Sequence, residues 1–362
     1  MRVFLVTICC LVAAVLGLSA QVRTGTLTIY YIDTEGGQST LFVGPTGESL
    51  LVDTGNAGDR DFSRIVETLT AAGVTRIDHL WTTHYHGDHV GALLALAKQF
   101  PVMHFYDHGV PHAGDRIVSA AFVSSYDEVS RGKRTIVKPG DTLRMTGLDI
   151  TAVASANRFL RSNLPGGGPN AFCAGVQPKD ESTYFDPDNG ESAGFVLAYG
   201  RFRTIDLGDL TWNGELDLMC PANRIGTVDL YLTSHHGLEK SGSPALVHAL
   251  RPRVAVMNNG TRKGGETNTL RVLFASPGLE DLWQLHWSYN AGLDNAPAVF
   301  VANVDDAATV ANVLTAPAPS GRGGGPPAAH SPAYLITVAA RQDGTFTVTN
   351  TRNGFTKTYR PR

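Results

Sequence analysis

Thr83-His84-Tyr85-His86-Gly87-Asp88-His89 places three imidazoles and a carboxylate within six residues. The apolar segment at 77–83 predicts a buried strand before it, and the segment at 90–96 predicts a packed helix after it. The first two histidines are two residues apart, so extended backbone sends both imidazoles to the same side. The aspartate and the last histidine follow a glycine turn and can face a second point nearby. Since imidazole and carboxylate groups suit zinc and related ions, the spacing predicts two neighbouring metal positions.

This stretch resembles the His-x-His-x-Asp-His motif of the metallo-β-lactamase superfamily. A narrower resemblance, to the metallo-hydrolase domain of DNA-uptake competence proteins and to secreted phosphorylcholine esterases, is carried by the blocks at 31–40, 205–209 and 233–237. The resemblance implies an α/β fold, the four-layer αββα sandwich, with metals at one edge between the two sheets. The turn at Asp343-Gly344 adds a C-terminal β-hairpin extension.

The resemblance also implies a set of metal ligands. They are His84, His86, Asp88, His89, Asp209 and His236. Asp209 would bridge both ions. Asp88, His89 and His236 would complete the better site with it, and the first two histidines would form the other.

The pair His235-His236 leaves one assignment open, because either imidazole could complete the shell of the second metal. We favour His236, since the glycine after it matches the His-Gly ending of related enzymes. His235 would then be catalytic and donate to a substrate oxygen or leaving group. Asp88 would have a catalytic role as well, orienting the attacking water.

Further residues are expected around the metals. Asp53 ends a predicted strand, where the superfamily has an aspartate that braces the metal loop. His108 follows another strand and is a candidate for lining the pocket. Arg262 and Lys263 would suit an anionic substrate if their loop reaches the site. A solvated loop is the equally weighted alternative for these two cations.

One ligand of the wider superfamily is missing. A third histidine for the first metal would follow the strand at 148–154, but Ser155 stands there, and the chain has no histidine between His112 and His235. The competence-protein branch tends to lack the same ligand. The first metal position is therefore expected to be weak, empty, or completed by water or substrate.

The chain divides into four predicted parts. Residues 1–20 have the charge, short apolar core and small cleavage residues of a signal peptide. That apolar run is shorter than the roughly 20 residues that span a bilayer, so no membrane span is expected after processing. The hydrolase domain is expected at 21–315, a Pro/Gly-rich linker at 316–332, and the hairpin at 333–362. The mature protein is expected to be secreted or periplasmic.

Charge and cysteine content set limits on partners. A net charge of −3 gives no strong attraction to nucleic acid or anionic membrane. Nucleic acid is therefore expected only as a substrate, and the sequence implies no obligate protein partner. After processing, Cys173 and Cys220 either form a disulfide or remain buried thiols.

The sequence favours an exported metal-dependent hydrolase whose metal-activated water attacks a phosphodiester, from nucleic acid or a choline-phosphate-like group. The alternative is hydrolysis of a lactam, lactone or thioester on the same metals, and a non-enzymatic binding module comes third. One or two divalent ions are expected, with zinc first and manganese or iron as alternatives. Such an ion lowers the pKa of bound water from about 15.7 to about 7.

Overall fold

The computed structural model describes residues 25–315 and 329–362. The predicted signal peptide and the linker up to residue 328 lie outside the described residues. No helix within the described ranges combines the length and the apolar character needed to cross a bilayer.

Strands and helices are numbered in chain order. The strands are β1 (Leu27–Tyr31), β2 (Thr40–Val43), β3 (Ser49–Val52), β4 (Ile77–Trp81), β5 (Val102–Asp107), β6 (Arg134–Ile136), β7 (Thr142–Met145), β8 (Leu148–Ser155), β9 (Arg158–Phe159), β10 (Gly168–Pro169), β11 (Gly194–Tyr199), β12 (Phe202–Asp206), β13 (Ala222–Asn223), β14 (Leu230–Leu232), β15 (Val254–Met257), β16 (Asp281–His286), β17 (Val301–Asn303), β18 (Ile336–Ala340), β19 (Phe346–Asn350) and β20 (Thr356–Tyr359). The helices are α1 (Asp59–Ala71), α2 (Gly87–Val90), α3 (Leu93–Gln99), α4 (Ala120–Val129), α5 (Trp212–Met219), α6 (Pro244–Leu250), α7 (Thr267–Phe274) and α8 (Ala307–Thr315).

Two large sheets form the centre of the fold. The first has the strand order β20-β19-β18-β1-β2-β3-β4-β5-β6, and the second has the order β17-β16-β15-β14-β12-β11-β8-β7 with β9 paired to β8. Apolar side chains from both sheets, among them Phe42, Trp81, Phe195 and Trp283, form one buried core between them. A further small sheet pairs β10 with β13.

Helices cover the outer face of each sheet. Buried side chains of α1, α3 and α4, such as Ile65, Leu93 and Tyr126, pack on the first sheet. Those of α5, α6 and α7, such as Leu218 and Leu246, pack on the second. Because each sheet has two apolar faces, both must be covered, and the layers are helix, sheet, sheet, helix. The predicted αββα sandwich is confirmed.

Parallel pairing brings several strand ends to one edge of the molecule. In the first sheet β3, β4 and β5 run parallel. In the second, β12, β14, β15 and β16 run parallel. Ligand sites in open α/β sheets form outside the carboxyl ends of such strands. The polar segments that follow these strands therefore meet at this edge.

Trp81 fixes the two sheets against each other next to that edge. Its indole Nε1 donates to the carbonyl of Ala193 at 2.7 Å, and its ring meets Phe195 edge-on with centroids 5.1 Å apart. The backbone N–H of Ala193 in turn donates to the carbonyl of Thr83 at 2.8 Å. The end of β4 and the start of β11 are thus joined across the core.

A disulfide anchors the long insertion between β8 and β11. Cys173 and Cys220 are bonded, with Cα atoms 5.8 Å apart. The bond joins the insertion to the residue that follows α5, and it resolves the alternative of two free thiols.

The C-terminal strands continue the first sheet. β18 pairs antiparallel with β1, and β19 and β20 follow in turn. The fully buried Phe346 packs against Phe202 of the second sheet, with centroids 5.3 Å apart, and against Tyr359 at 4.8 Å. The C-terminal strands therefore contribute to the core between the sheets.

We expect Phe346→Ala to lower the free energy of unfolding by about 3–5 kcal/mol, because it removes a fully buried ring from this core. Phe274→Ala is the matched control, since that ring is 50% exposed and its loss should change stability by about 0.5 kcal/mol. Urea unfolding of both variants measures the difference. Equal changes in the free energy of unfolding in both variants would show that the C-terminal strands fold separately from the main core.

Candidate metal centre

The histidine-rich stretch lies at the junction of β4 and α2. His84 Nε2 and His86 Nδ1 face each other at 3.0 Å. The helix starts inside the motif, at Gly87, and carries Asp88 and His89 on its first turn. The predicted helix at 90–96 is thus two short helices, α2 and α3, which meet at residues 91 and 92.

Four predicted ligands converge on one point. His236 Nε2 lies 3.3 Å from His89 Nε2, 3.3 Å from Asp88 Oδ2 and 3.4 Å from Asp209 Oδ2. One ligand atom from each of the four residues lies within 4.8 Å of every other. Asp88 and His89 follow β4 of the first sheet. Asp209 and His236 follow β12 and β14 of the second sheet, so the cluster joins loops of both sheets. Of the His235-His236 pair, the favoured His236 is the one in this cluster.

The Asp53 carboxylate orients His89. His89 Nδ1 donates to Asp53 Oδ2 at 2.7 Å, so the proton of this imidazole is on its outer nitrogen. The inner nitrogen, Nε2, faces Asp209 and His236. Although burial opposes it, the carboxylates of Asp209, Asp88 and Asp53 raise the pKa of His89 well above its usual range, so a metal ion at Nε2 would replace a proton. A carboxylate behind a ligating imidazole is a common support in metal sites. The expected bracing role of Asp53 fits this contact.

Hydrogen bonds to their outer nitrogens also orient His84 and His86. Thr83 Oγ1 donates to Asp53 at 2.6 Å, so it can only accept from His84 Nδ1 at 3.1 Å. His86 Nε2 donates to Asp115 Oδ2 at 2.9 Å. The two facing nitrogens of His84 and His86, 3.0 Å apart, therefore both carry lone pairs. Such a contact is relieved by a proton or by a metal ion bound at the two nitrogens, and this donor set fits a divalent ion.

His235 also turns a lone pair toward the centre. Ser241 Oγ donates to the Leu210 carbonyl at 2.7 Å and accepts from His235 Nδ1 at 3.2 Å. His235 Nε2 lies 3.4 Å from Asp209 Oδ2. Burial lowers the pKa of His235 to about 4, so the ring is neutral at pH 7. Its expected role as a donor would require the proton on Nε2, whereas this network holds it on Nδ1.

The carboxylates at the centre are held ionised. Burial alone would raise the pKa of Asp209, but the imidazoles of His236, His89 and His235 lower it well below its usual range. Burial likewise opposes ionisation of Asp88, and the ammonium of Lys263 is the first group that offsets it and keeps its pKa well below the usual range. The two ionised carboxylates at the centre attract a divalent cation.

The loop after β15 reaches the centre through one of its two cations. Lys263 Nζ contacts Asp88 Oδ2. Gly264 allows this approach, because a Cβ there would lie 2.0 Å from the carbonyl oxygen of His236. Arg262 points elsewhere and lies over the ring of Tyr289, 5.2 Å from its centroid.

Two other predicted positions lie away from the four-residue cluster. His108 is buried behind the histidine loop, against the ring of Tyr85 with centroids 4.6 Å apart and with its Nε2 3.4 Å from Asp188 Oδ2. Ser155, at the position of the missing histidine, is buried and donates its hydroxyl to the carbonyl of Val137 at 2.8 Å. The serine is thus engaged by the backbone.

The sequence did not reveal the aspartates that support the histidine loop from outside. Asp188, in the insertion, accepts from the backbone N–H of Tyr85 at 2.9 Å. Its own N–H donates at 2.9 Å to Asp115 Oδ2, the oxygen that accepts from His86. Both residues lie in segments without strand or helix periodicity, so nothing in the local pattern distinguishes them from solvated loop residues.

Access to the centre is from the side of Asp88 and Lys263. Their side chains are 20% and 41% exposed, whereas the side chains of His84, His89 and His236 are fully buried. A substrate would therefore meet this carboxylate and ammonium first.

Residues 33–144 match the family model described as the metallo-beta-lactamase superfamily. An atrochrysone carboxyl ACP thioesterase of Cryptosporiopsis sp. is 34% identical over 183 residues, which are 51% of this chain and 45% of the relative. A similar thioesterase of Pseudocercospora fijiensis is 26% identical over 187 residues, 52% of this chain and 45% of the relative.

The competence protein ComA of Neisseria gonorrhoeae is 25% identical over 221 residues, 61% of this chain and 25% of that protein. This chain spans less than half the length of these three relatives. Among solved structures, the metallo-beta-lactamase fold protein YhfI of Bacillus subtilis has 12% identity and a TM-score of 0.43, over 72% of this chain and 96% of its own.

We expect Asp53→Asn to weaken zinc binding by about 10–100-fold, because it removes the carboxylate behind His89 and disturbs Thr83. Asp115→Asn should weaken only the ion between His84 and His86. Asp78→Asn is the control, a carboxylate on β4 that contacts Ser49 and Arg76.

Competition with a chromophoric chelator measures two zinc affinities for each variant, that of the Asp209 centre and that of the position at His84 and His86. Unchanged affinities in Asp53→Asn would contradict the bracing role. Equal losses at both positions in Asp115→Asn would contradict separate positions.

Proposed function

We propose that the protein is a metal-dependent hydrolase acting on a carbonyl, in a thioester or lactone, and the match of residues 33–144 to the metallo-beta-lactamase superfamily supports this proposal. The observation that carries the proposal is the asymmetry of the centre. Asp88, His89, Asp209 and His236 form a complete ligand set, whereas His84 and His86 have no third histidine beside them.

A divalent ion bound at this centre would supply a water of lowered pKa and positive charge for a developing oxyanion. The chain's own groups would do the rest. Asp88 is the partly exposed carboxylate and is placed to orient the attacking water. Lys263 Nζ, at the mouth of the site, can donate to the oxyanion that forms from the carbonyl.

The incomplete first position favours carbonyl chemistry over phosphodiester cleavage. Enzymes that cleave phosphodiesters commonly place two metals about 3.5–4 Å apart, to hold both the attacking and the leaving oxygen. A carbonyl develops a single oxyanion, which one ion and one ammonium can stabilise. The thioesterase relatives point the same way.

Phosphodiester hydrolysis, which the sequence favoured, is the second candidate. It is supported by the ammonium of Lys263 at the entrance and by the ComA relative. The support from Arg262 is reduced, because that guanidinium lies over Tyr289. A single lysine suits one negative charge, and a phosphodiester carries one.

The two candidates separate in a substrate panel of zinc-loaded protein with an aryl thioester, a lactone, nitrocefin and bis-para-nitrophenyl phosphate. We expect chelator-sensitive turnover of the thioester or lactone to exceed that of the phosphodiester. Asp209→Ala should abolish turnover, because the Asp209 carboxylate lies 3.3–3.4 Å from three imidazole nitrogens and is the shared member of the candidate ligand set. Chelator-sensitive turnover of the phosphodiester alone would replace the proposal with the second candidate.

Lys263→Ala should lower kcat on the best substrate by about 10²–10³, the usual loss for one oxyanion contact, with zinc content unchanged. Arg262→Ala is the matched control, since the neighbouring cation faces Tyr289 and should leave kcat within about twofold. The rates and the zinc content of both variants are compared with those of the parent. Equal kcat in both variants would show that Lys263 does not reach the transition state.

A further inference from the structure

A second cluster of histidine and carboxylate groups lies outside the centre described above. Its members come from three places in the fold: Glu35 from the loop between β1 and β2, His286 from the end of β16, and His330 from the segment before β18. One ligand atom from each lies within 4.8 Å of the other two. None of these residues is used by the proposed hydrolysis.

Two further carboxylates complete the cluster. His286 Nε2 is 3.6 Å from Glu35 Oε2 and 2.6 Å from Asp33 Oδ1. His330 Nδ1 is 3.4 Å from Glu35 Oε1, and its Nε2 is 3.1 Å from Asp305 Oδ1. Spacings of 3.3–3.5 Å also separate the ligand atoms at the Asp209 centre, so the two clusters are similarly compact.

The charges of the cluster do not balance. Asp33, Glu35 and Asp305 bring three negative charges, and Arg64 brings one positive charge through contacts of 2.9 Å to Asp33 and 3.3 Å to Glu35. The side chains of Asp33 and Glu35 are only 2% and 9% exposed. Buried charges require compensation, and Arg64 supplies only one positive charge for the buried carboxylates of Asp33 and Glu35. The hydrogen bond to Glu35 raises the pKa of His330, so a proton on His330 and a bound cation are alternative sources of the remaining charge.

We propose that Glu35, His286 and His330 form a second divalent-cation site, for zinc or an ion of similar ligand preference. Such an ion supplies positive charge beside the buried carboxylates, and two imidazoles with carboxylate are ligands that zinc prefers. A cavity of about 640 Å³, lined by Asp33 and Arg64 among others, opens onto His330 and gives a path for the ion.

The site would connect the segment before the C-terminal strands to the loop that contacts Asp88 of the Asp209 centre. His330 precedes β18, and Glu35 belongs to the β1–β2 loop. In the same loop the backbone N–H of Gln38 donates to the carbonyl of Asp88 at 3.0 Å. An ion at the second site would therefore fix a loop that supports a ligand of the first, so its role is structural.

The experiment counts zinc by equilibrium dialysis at pH 7.5 in full-length protein. Asp209→Ala removes the centre formed by Asp88, His89, Asp209 and His236. This variant should retain one equivalent of zinc, bound at the proposed second site. Adding His330→Gln should remove that equivalent. Adding His104→Gln to Asp209→Ala is the control for adventitious binding, because His104 is an exposed histidine stacked on His79.

A second measurement does not depend on the Asp209 variant. With the first centre intact, His330→Gln should lower the zinc content by one equivalent and reduce the increase in Tm that zinc gives.

Absence of zinc from Asp209→Ala, with the zinc content of His330→Gln equal to that of the parent, would overturn the proposal. Protonated histidines would then balance the carboxylates. Loss of the retained zinc on His104→Gln rather than His330→Gln would also overturn it.

Discussion

The centre depends on one buried carboxylate. Asp53 directly follows β3 and has a φ of 56°, an uncommon conformation for a residue other than glycine. Its oxygens accept from the Thr83 backbone N–H at 2.8 Å, the Thr83 hydroxyl at 2.6 Å and His89 Nδ1 at 2.7 Å. These contacts fix the path of the loop after β4 and the proton of His89, and through Thr83 they also fix the proton of His84. The candidate ligand atoms converge because Asp53 is turned toward the loop.

The sequence predicts which candidate ligands come together, for a physical reason. His84, His86, Asp88 and His89 lie within six residues, so local backbone geometry alone brings them together. Asp209 and His236 each follow a buried strand, and parallel pairing places the ends of these strands at the same edge. Hydrophobic periodicity predicts the buried strands, and it therefore also predicts where each strand ends.

The supporting groups could not be predicted in the same way. Asp115 and Asp188 contact the histidine loop only because the insertion folds back over it, and no local pattern encodes that return. Arg262 and Lys263 are adjacent in sequence, yet one faces Tyr289 and the other Asp88. Their directions depend on the turn at Gly264, with a φ of 72°, which presses the loop onto His236.

The loop at 33–38 links the two clusters of the molecule. At one end, Asp33 and Glu35 face His286 and the segment before β18. At the other end, Gln38 Nε2 donates to Asp206 at 3.0 Å. Burial raises the pKa of Asp206 to about 7, and this carboxylate precedes the Asp209 turn. Because the same short loop contacts both sheets, a change of charge at either cluster acts on a shared backbone. A continuous path of contacts therefore joins the segment before the C-terminal strands to the metal centre, although neither supplies any of its ligands.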